Sequence, residues 1–190
     1  VFAAENNAFS EVMWFYPIGE GNTEVTNYVS YNYAENLWSV GTLDRGAWQG
    51  VGTQNFPMAT SVNNDTSTAN YLYYHENGFD DDGSAMTAFV ESGDLELQEG
   101  ERFMMVSRII PDFAFSGATS DASISMTMKG SDFPLETPTT LSTSTITNSS
   151  TQSFIRARSR HQIVRVESSG LGYGWRLGDL RFDIRPDGRR

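Results

Sequence analysis

Some stretches of this chain place apolar residues at every second position, and no stretch of eleven residues carries the three-and-four spacing of an amphipathic helix. SISMTM (Ser123–Met128) alternates polar and apolar strictly. Successive side chains of a strand point to opposite faces, so this pattern builds a half-buried strand and cannot settle as a helix. QIVRVES (Gln162–Ser168) and RFDIR (Arg181–Arg185) follow the same rule. EVMWFYPI, TNYVSYNY, NYLYYHE, MTAFVES and RFMMVSRII are aromatic and β-branched runs of strand character. GEGN, AEN, DDDG, QEGE and PDG punctuate them as turns. The chain is therefore expected to be all-β: propeller-like, part of a propeller, with a β-sandwich as the alternative.

The length of 190 residues suffices for a domain with a real core. With no cysteine, neither a disulfide nor a thiolate metal site can form. No apolar run approaches the roughly 18–20 residues of a membrane-crossing helix. The opening VFAAENNAFSEV has neither the basic start nor the apolar stretch of a signal peptide.

Charge is unevenly spread. Residues 1–150 hold twenty acidic and four basic residues, whereas residues 151–190 hold nine arginines and four acids, within a formal net charge of −11. Lys129 is the only lysine. Arginine forms fixed, bidentate pairs better than lysine does, so these arginines read as pairing or interface groups, with a solvated face as the alternative. The sequence divides into an acidic part expected to form propeller blades (1–136), a Ser/Thr-rich stretch (137–153) and Arg-rich closing strands of the same domain (154–190). The middle stretch reads as an exposed connection. Its alternation of Leu141, Thr143, Thr145 and Thr147 also permits a solvent-washed strand.

YNYAENLWSVG (Tyr31–Gly41) predicts a hairpin. Tyr31 and Tyr33 share a strand face, Ala34-Glu35-Asn36 turns with Asn36 suited to positive φ, and Trp38 returns to pack on a tyrosine. Tyr31, Tyr33 and Trp38 are thus expected to be core and hairpin residues. Exposed rings would instead make a carbohydrate platform.

VSYNYAENLWSVGTLDRGAW, followed by YLYYHENGFDDDG, AFVESGDLEL, RFMMVSRIIPDF and RSRHQIVRVES…WRLGDLRFDIRPDGRR, resembles the C-terminal half of bacteriophage tail nozzle and hub proteins, the tail-tube proteins of short-tailed phages. The resemblance runs from Met13 to Arg190. It implies β-propeller blades in a virion tail, assembled as a hexameric ring with a channel through which DNA passes. It implies as partners the adaptor of the head-to-tail connector and the tail fibre or needle proteins. It also implies later blades and a closing strand, with other blades lying elsewhere in a whole nozzle.

No nucleophile elbow, P-loop or HExxH appears, and residues 1–100 hold a single arginine, Arg45, too few for a sialidase-like propeller site. No enzyme activity and no cofactor are expected. Asp80 and Asp82 are weak cation candidates: with Glu91 they take positions 1, 3 and 12 of an EF-hand loop, but Ala85 stands where its glycine is needed and MTAFVES reads as a strand. His75 reads as a satisfied strand residue. On a strand, Arg156, Arg158 and Arg160 share one face with Phe154, an arginine stripe for a neighbouring subunit, for acids of the chain or for DNA. Arg181 and Arg185 form a similar pair in the last strand, ahead of a turn expected at Pro186-Asp187-Gly188. The second functional reading is a carbohydrate-binding or carbohydrate-active β-domain of a phage tail or secreted protein, using Trp14, Tyr16, Trp38, Trp48, Tyr71 and Tyr73.

Overall fold

A computed structural model describes residues 1–62, 71–117 and 120–188. The chain is all-β, with no helix among those residues. It divides into two compact units, Val1–Asn77 and Gly78–Arg190. The boundary falls inside the stretch read from sequence as one acidic part, and both Arg-rich and Ser/Thr-rich stretches lie in the second unit.

The first unit contains β1 (Phe2–Asn6), β2 (Glu11–Tyr16), β3 (Asn27–Asn32) and β4 (Leu37–Thr42), each antiparallel to the next in one four-stranded sheet. A second sheet takes β5 (Arg45–Gln49), β6 (Met58–Ser61) and β7 (Leu72–Tyr74) in the same order. The strand read at NYLYYHE begins outside the described residues, at Asn70, and forms over Leu72–Tyr74. Met13 and Phe15 point to one face of the first sheet and are buried. There Phe15 stacks on Phe2 at 4.8 Å and meets Trp48 of β5 at 5.9 Å. The Trp48 indole N–H donates to the Glu5 carbonyl at 3.0 Å, so the ring is anchored at its polar edge as well as packed.

The second unit contains β8 (Asp80–Asp81), β9 (Ser84–Ala85), β10 (Ala88–Glu91), β11 (Leu95–Glu96), β12 (Met104–Ile110), β13 (Phe113–Gly117), β14 (Ser123–Ser131), β15 (Thr139–Thr147), β16 (Ser153–Ser159), β17 (His161–Ser168), β18 (Tyr173–Leu177) and β19 (Arg181–Pro186). One sheet runs β10-β17-β14-β15, with β11 also on β17, and a second runs β16-β12-β19. Their inner faces meet in a core of Met104, Val106, Ile109, Ile124, Met126, Met128, Ile146, Ala157, Val164 and Val166. This two-layer packing is sandwich-like within the unit.

The Ser/Thr-rich segment is a paired strand rather than a connection. β15 lies along β14 from Ser123–Thr147 to Gly130–Thr139 and buries Ile146. Its threonines face outward, which is why composition alone read it as solvent-exposed. The last strand, β19, pairs with β12 in the middle of its sheet's sequence order, as a short terminal strand must if it is not to fray. Pro186 is the last residue of β19 rather than the first corner of a turn. Asp187 N–H donates to the Phe103 carbonyl at 2.8 Å and Phe103 N–H to the Gly188 carbonyl at 3.0 Å, so pairing continues until Gly188 at φ 83°.

Ile109 is fully buried between the two sheets of the second unit. Ile109→Ala is expected to lower unfolding free energy by about 2–5 kcal/mol, read as a shift of the denaturant midpoint at constant slope.

Candidate functional site: an aromatic face and an arginine face

The hairpin forms with the predicted partners but not the predicted burial. Tyr31 pairs with Trp38 and Asn32 with Leu37, and residues 33–36 make the turn with Asn36 at φ 58°. The Tyr31 hydroxyl donates to Asn36 Oδ1 at 2.7 Å, and Asn32 Oδ1 accepts from the Ala34 and Glu35 N–H groups. Gly41 leaves room for the Tyr28 ring lying across β4: a Cβ there would fall 2.6 Å from the ring's far end.

Trp38 is 65% exposed and is not a core residue. The cause is strand position: β4 is the edge of its sheet, and its tryptophan lies on the face opposite Met13 and Phe15. Tyr33 sits in the turn, 52% exposed, rather than beside Tyr31 on the strand. On that outer face the Trp38 ring lies 4.7 Å from Tyr31 and 5.9 Å from Trp14, the latter pair nearly parallel at 24°. Val12, Val29 and Val40 fill the same face by register. The sheet therefore has apolar side chains on both faces. Trp48, by contrast, belongs to the inner face, where its ring lies 4.7 Å from His75, tilted by 39°.

One end of the first sheet is polar. Asn6 is buried and donates to Glu76 Oε1 at 3.1 Å, with Glu11 opposite it in register. Burial, reinforced by the nearby Glu76 and Glu35 charges, pushes the Glu11 carboxyl above the usual carboxylate range. Burial, with Glu11 and Glu76, likewise pushes the Tyr28 phenol up. His75 accepts from Arg45 Nε at 3.1 Å, the role of a satisfied side chain.

The second unit carries the arginine face, on the outside of the β16-β12-β19 sheet. Phe154, Arg156 and Arg158 alternate with Ile155 and Ala157 as the sequence predicts. Arg160 stands just past β16, which ends at Ser159; it lies over the same Phe103 ring as Arg158, at 4.8 Å, and donates to the Gly100 and Glu101 carbonyls at 3.1 and 2.9 Å. Arg158 pairs with Asp187 at 2.6 Å and lies over the Phe103 ring at 3.9 Å. Arg108, directly opposite Asp183 in register, pairs with it at 2.7 Å. Arg156, Arg181 and Arg185 are exposed and make no ion pair or hydrogen bond among the described residues. Arg189 and Arg190 lie outside the described residues. Trp175 does not join this face; its indole N–H donates to Ser168 Oγ at 2.8 Å.

A second charged group was missed by reading arginines alone. Glu91 accepts from Lys129 at 2.6 Å and Arg165 at 3.3 Å, while Arg165 also pairs with Glu167 at 2.6 Å and lies over Phe89 at 3.9 Å. The hydrogen bond from Lys129 is the main reason the Glu91 carboxyl is held below its ordinary range. The shared outward parity of Lys129, Arg165 and Glu167 was the available signal.

Asp80 and Asp81 form the short β8–β9 ladder with Ala85 and Ser84, and Asp80 Oδ1 accepts the Gly83 N–H at 3.1 Å. Asp82 takes the turn at φ 50°. This is hairpin chemistry, and among the described residues no cluster of three or more His, Asp or Glu could hold a metal ion. No helix among them is long and apolar enough to cross a membrane. No protein-family model matches the chain, and no curated protein matches it.

Two outcomes follow from these geometries. Trp38→Ala removes ring contacts but little buried area, so it is expected to cost about 0.5–1.5 kcal/mol in a denaturant titration, well short of a buried-aromatic truncation. Glu11→Gln tests the polar end. A carboxyl with a raised folded pKa costs stability when ionised, and that cost fades as pH falls through the folded value. Glu11→Gln should therefore raise the melting temperature at neutral pH, with the gain vanishing in acid below the ordinary carboxylate range.

Proposed function

We propose that this chain is a structural component of a bacteriophage tail, a β-propeller portion of a nozzle or hub that lines part of the channel for genome ejection. The observation that carries the reading is connectivity. β1 to β4 form one sheet in which every strand pairs with its sequence neighbour, the meander from which propeller blades are built. The string that resembles nozzle proteins most closely, YNYAENLWSVG, is the β3–β4 hairpin of that sheet, and WRLGDLRFDIRPDG supplies β18 and β19. The net charge of −11 also suits a channel that passes DNA, because an acidic wall repels phosphates rather than holding them. On this reading the chain forms a hexameric ring in the virion tail, beside the connector's adaptor and the fibre or needle proteins. Arg156, Arg181 and Arg185 meet neighbouring subunits or passing DNA, and the protein performs no catalysis.

The exposed Trp38, with Tyr31 and Trp14 beside it, favours a second reading as a carbohydrate-binding β-domain of a phage tail. Exposed aromatic rings are surfaces on which sugars stack.

Negative-stain imaging of the purified chain separates the two. Six-fold rings are expected. Uniform monomers that are retained on an immobilised polysaccharide, and lose retention with Trp38→Ala, would replace the nozzle reading with the carbohydrate one.

A further inference from the structure

We propose that the free edge of β4 is paired, in a second copy of this chain, by the arginine-bearing edge strand β16, giving a head-to-tail contact between copies. The proposal rests on the ring-forming reading above and specifies its contact.

Among the described residues β4 pairs with β3 alone, on one side. An unpaired edge exposes a row of N–H and C=O groups, and natural proteins shield such edges with charge, proline, bulges or short length. β4 has none of these. Its six residues, LWSVGT, contain no charge and no proline, and its register with β3 runs unbroken from Asn32–Leu37 to Asn27–Thr42. Val40 is 75% exposed, beyond even Trp38. The edge strand β19 shows what protection looks like: Arg181, Asp183, Arg185 and Pro186 lie within six residues.

Charge selects the occupant. Residues 1–77 hold eight acidic residues and one basic residue, Arg45, which is held by His75 and the Asp44 carbonyl. Glu35 and Asp44 flank β4 at its two ends. Antiparallel pairing of β4 with β4 of another copy would bring Glu35 beside Asp44 twice, which is repulsive. A basic strand is attracted instead. β16 is an edge strand, has no proline, and carries Arg156 with no partner among the described residues. Its Phe154, 74% exposed, offers an apolar side chain to match Trp38 and Val40. Because β4 and β16 are different surfaces, the contact is heterologous, and such contacts propagate into closed rings or open filaments.

Light scattering of the full chain after size exclusion tests this with Val40→Lys, which places a charge on the β4 edge, and Arg156→Glu, which reverses the β16 side. Thr42→Lys serves as a second β4 variant should Val40→Lys unfold. The wild-type chain is expected to assemble, less readily at high salt. Each variant is expected to raise the concentration for half-assembly by at least about tenfold. An equimolar mixture of the two variants should recover a heterodimer and nothing larger, because each chain keeps one intact edge. A wild-type chain that stays monomeric overturns both the contact and the ring reading. Rings that persist in both β4 variants overturn the contact and leave the ring reading standing. Folded variants that fail to complement each other overturn the pairing of β4 with β16.

Discussion

The second unit depends on β12. It is the middle strand of its sheet, pairing with β16 on one side and β19 on the other, so it joins two strands that are both far from it in sequence. Its register shifts between Val106 and Arg108 on both sides. Without that irregularity Val106 and Ile109, three apart, would point to opposite faces. With it both lie in the core, almost wholly buried, while Arg108 turns outward to meet Asp183. One irregular residue, Ser107, thus fixes both the packing face and the ion-pair face of the sheet, as bulges do where a side chain must be re-aimed.

The strands were legible where alternation was strict. β14 and β17 bury every second residue along their length; SISMTM shows this directly, whereas in QIVRVES the buried face takes Gln162 and leaves Ile163 on the other side. β12 was legible as a strand but not in its facing, since RFMMVSRII is apolar at consecutive positions and carries no mark of the register shift. β15 was harder still: threonine is at home both in strands and in loops, and only Leu141 and Ile146 point inward to decide between them. The hairpin at Tyr31–Trp38 was legible down to the positive φ of Asn36, because turn chemistry is local. The exposure of Trp38 was not. A ring's burial depends on what covers its sheet face, and that information lies in no short window of sequence.

The candidate surfaces divide along the same line. The arginine stripe on β16 followed from parity, but its energetic state did not. Arg158 is neutralised by Asp187, Arg108 by Asp183, and Arg160 is diverted to carbonyls in the 98–101 turn. These partners are contributed by the last eight described residues and by a distant loop, separations that sequence spacing cannot rank. Among the described residues of this stretch, Arg156, Arg176, Arg181 and Arg185 are left exposed without an ion pair, fewer than the count of nine arginines implied. Partly exposed pairs of this kind add little stability each, so their value lies more in fixing where the remaining positive charge sits.

The first unit poses the converse problem. A sheet that is apolar on one face needs one covering layer, and the β5–β6–β7 sheet supplies it through Phe15 and Trp48. The opposite face, with Trp14, Tyr31, Trp38 and three valines, has apolar side chains too, and its edge strand is unshielded. Burying such a face gains about 25 cal/mol for each Å² of apolar surface removed from water. The cost of leaving it open therefore grows with every ring on it, whereas a charged outer face would have incurred none. Two tryptophans, a tyrosine and Val40 on this face, with no lysine or arginine, support the proposed contact with a second copy. The same reasoning separates this face from the hydroxyl-rich outer face of β14 and β15, where the Thr127 and Thr143 hydroxyls bond to each other at 3.3 Å and exposed hydroxyls suit water.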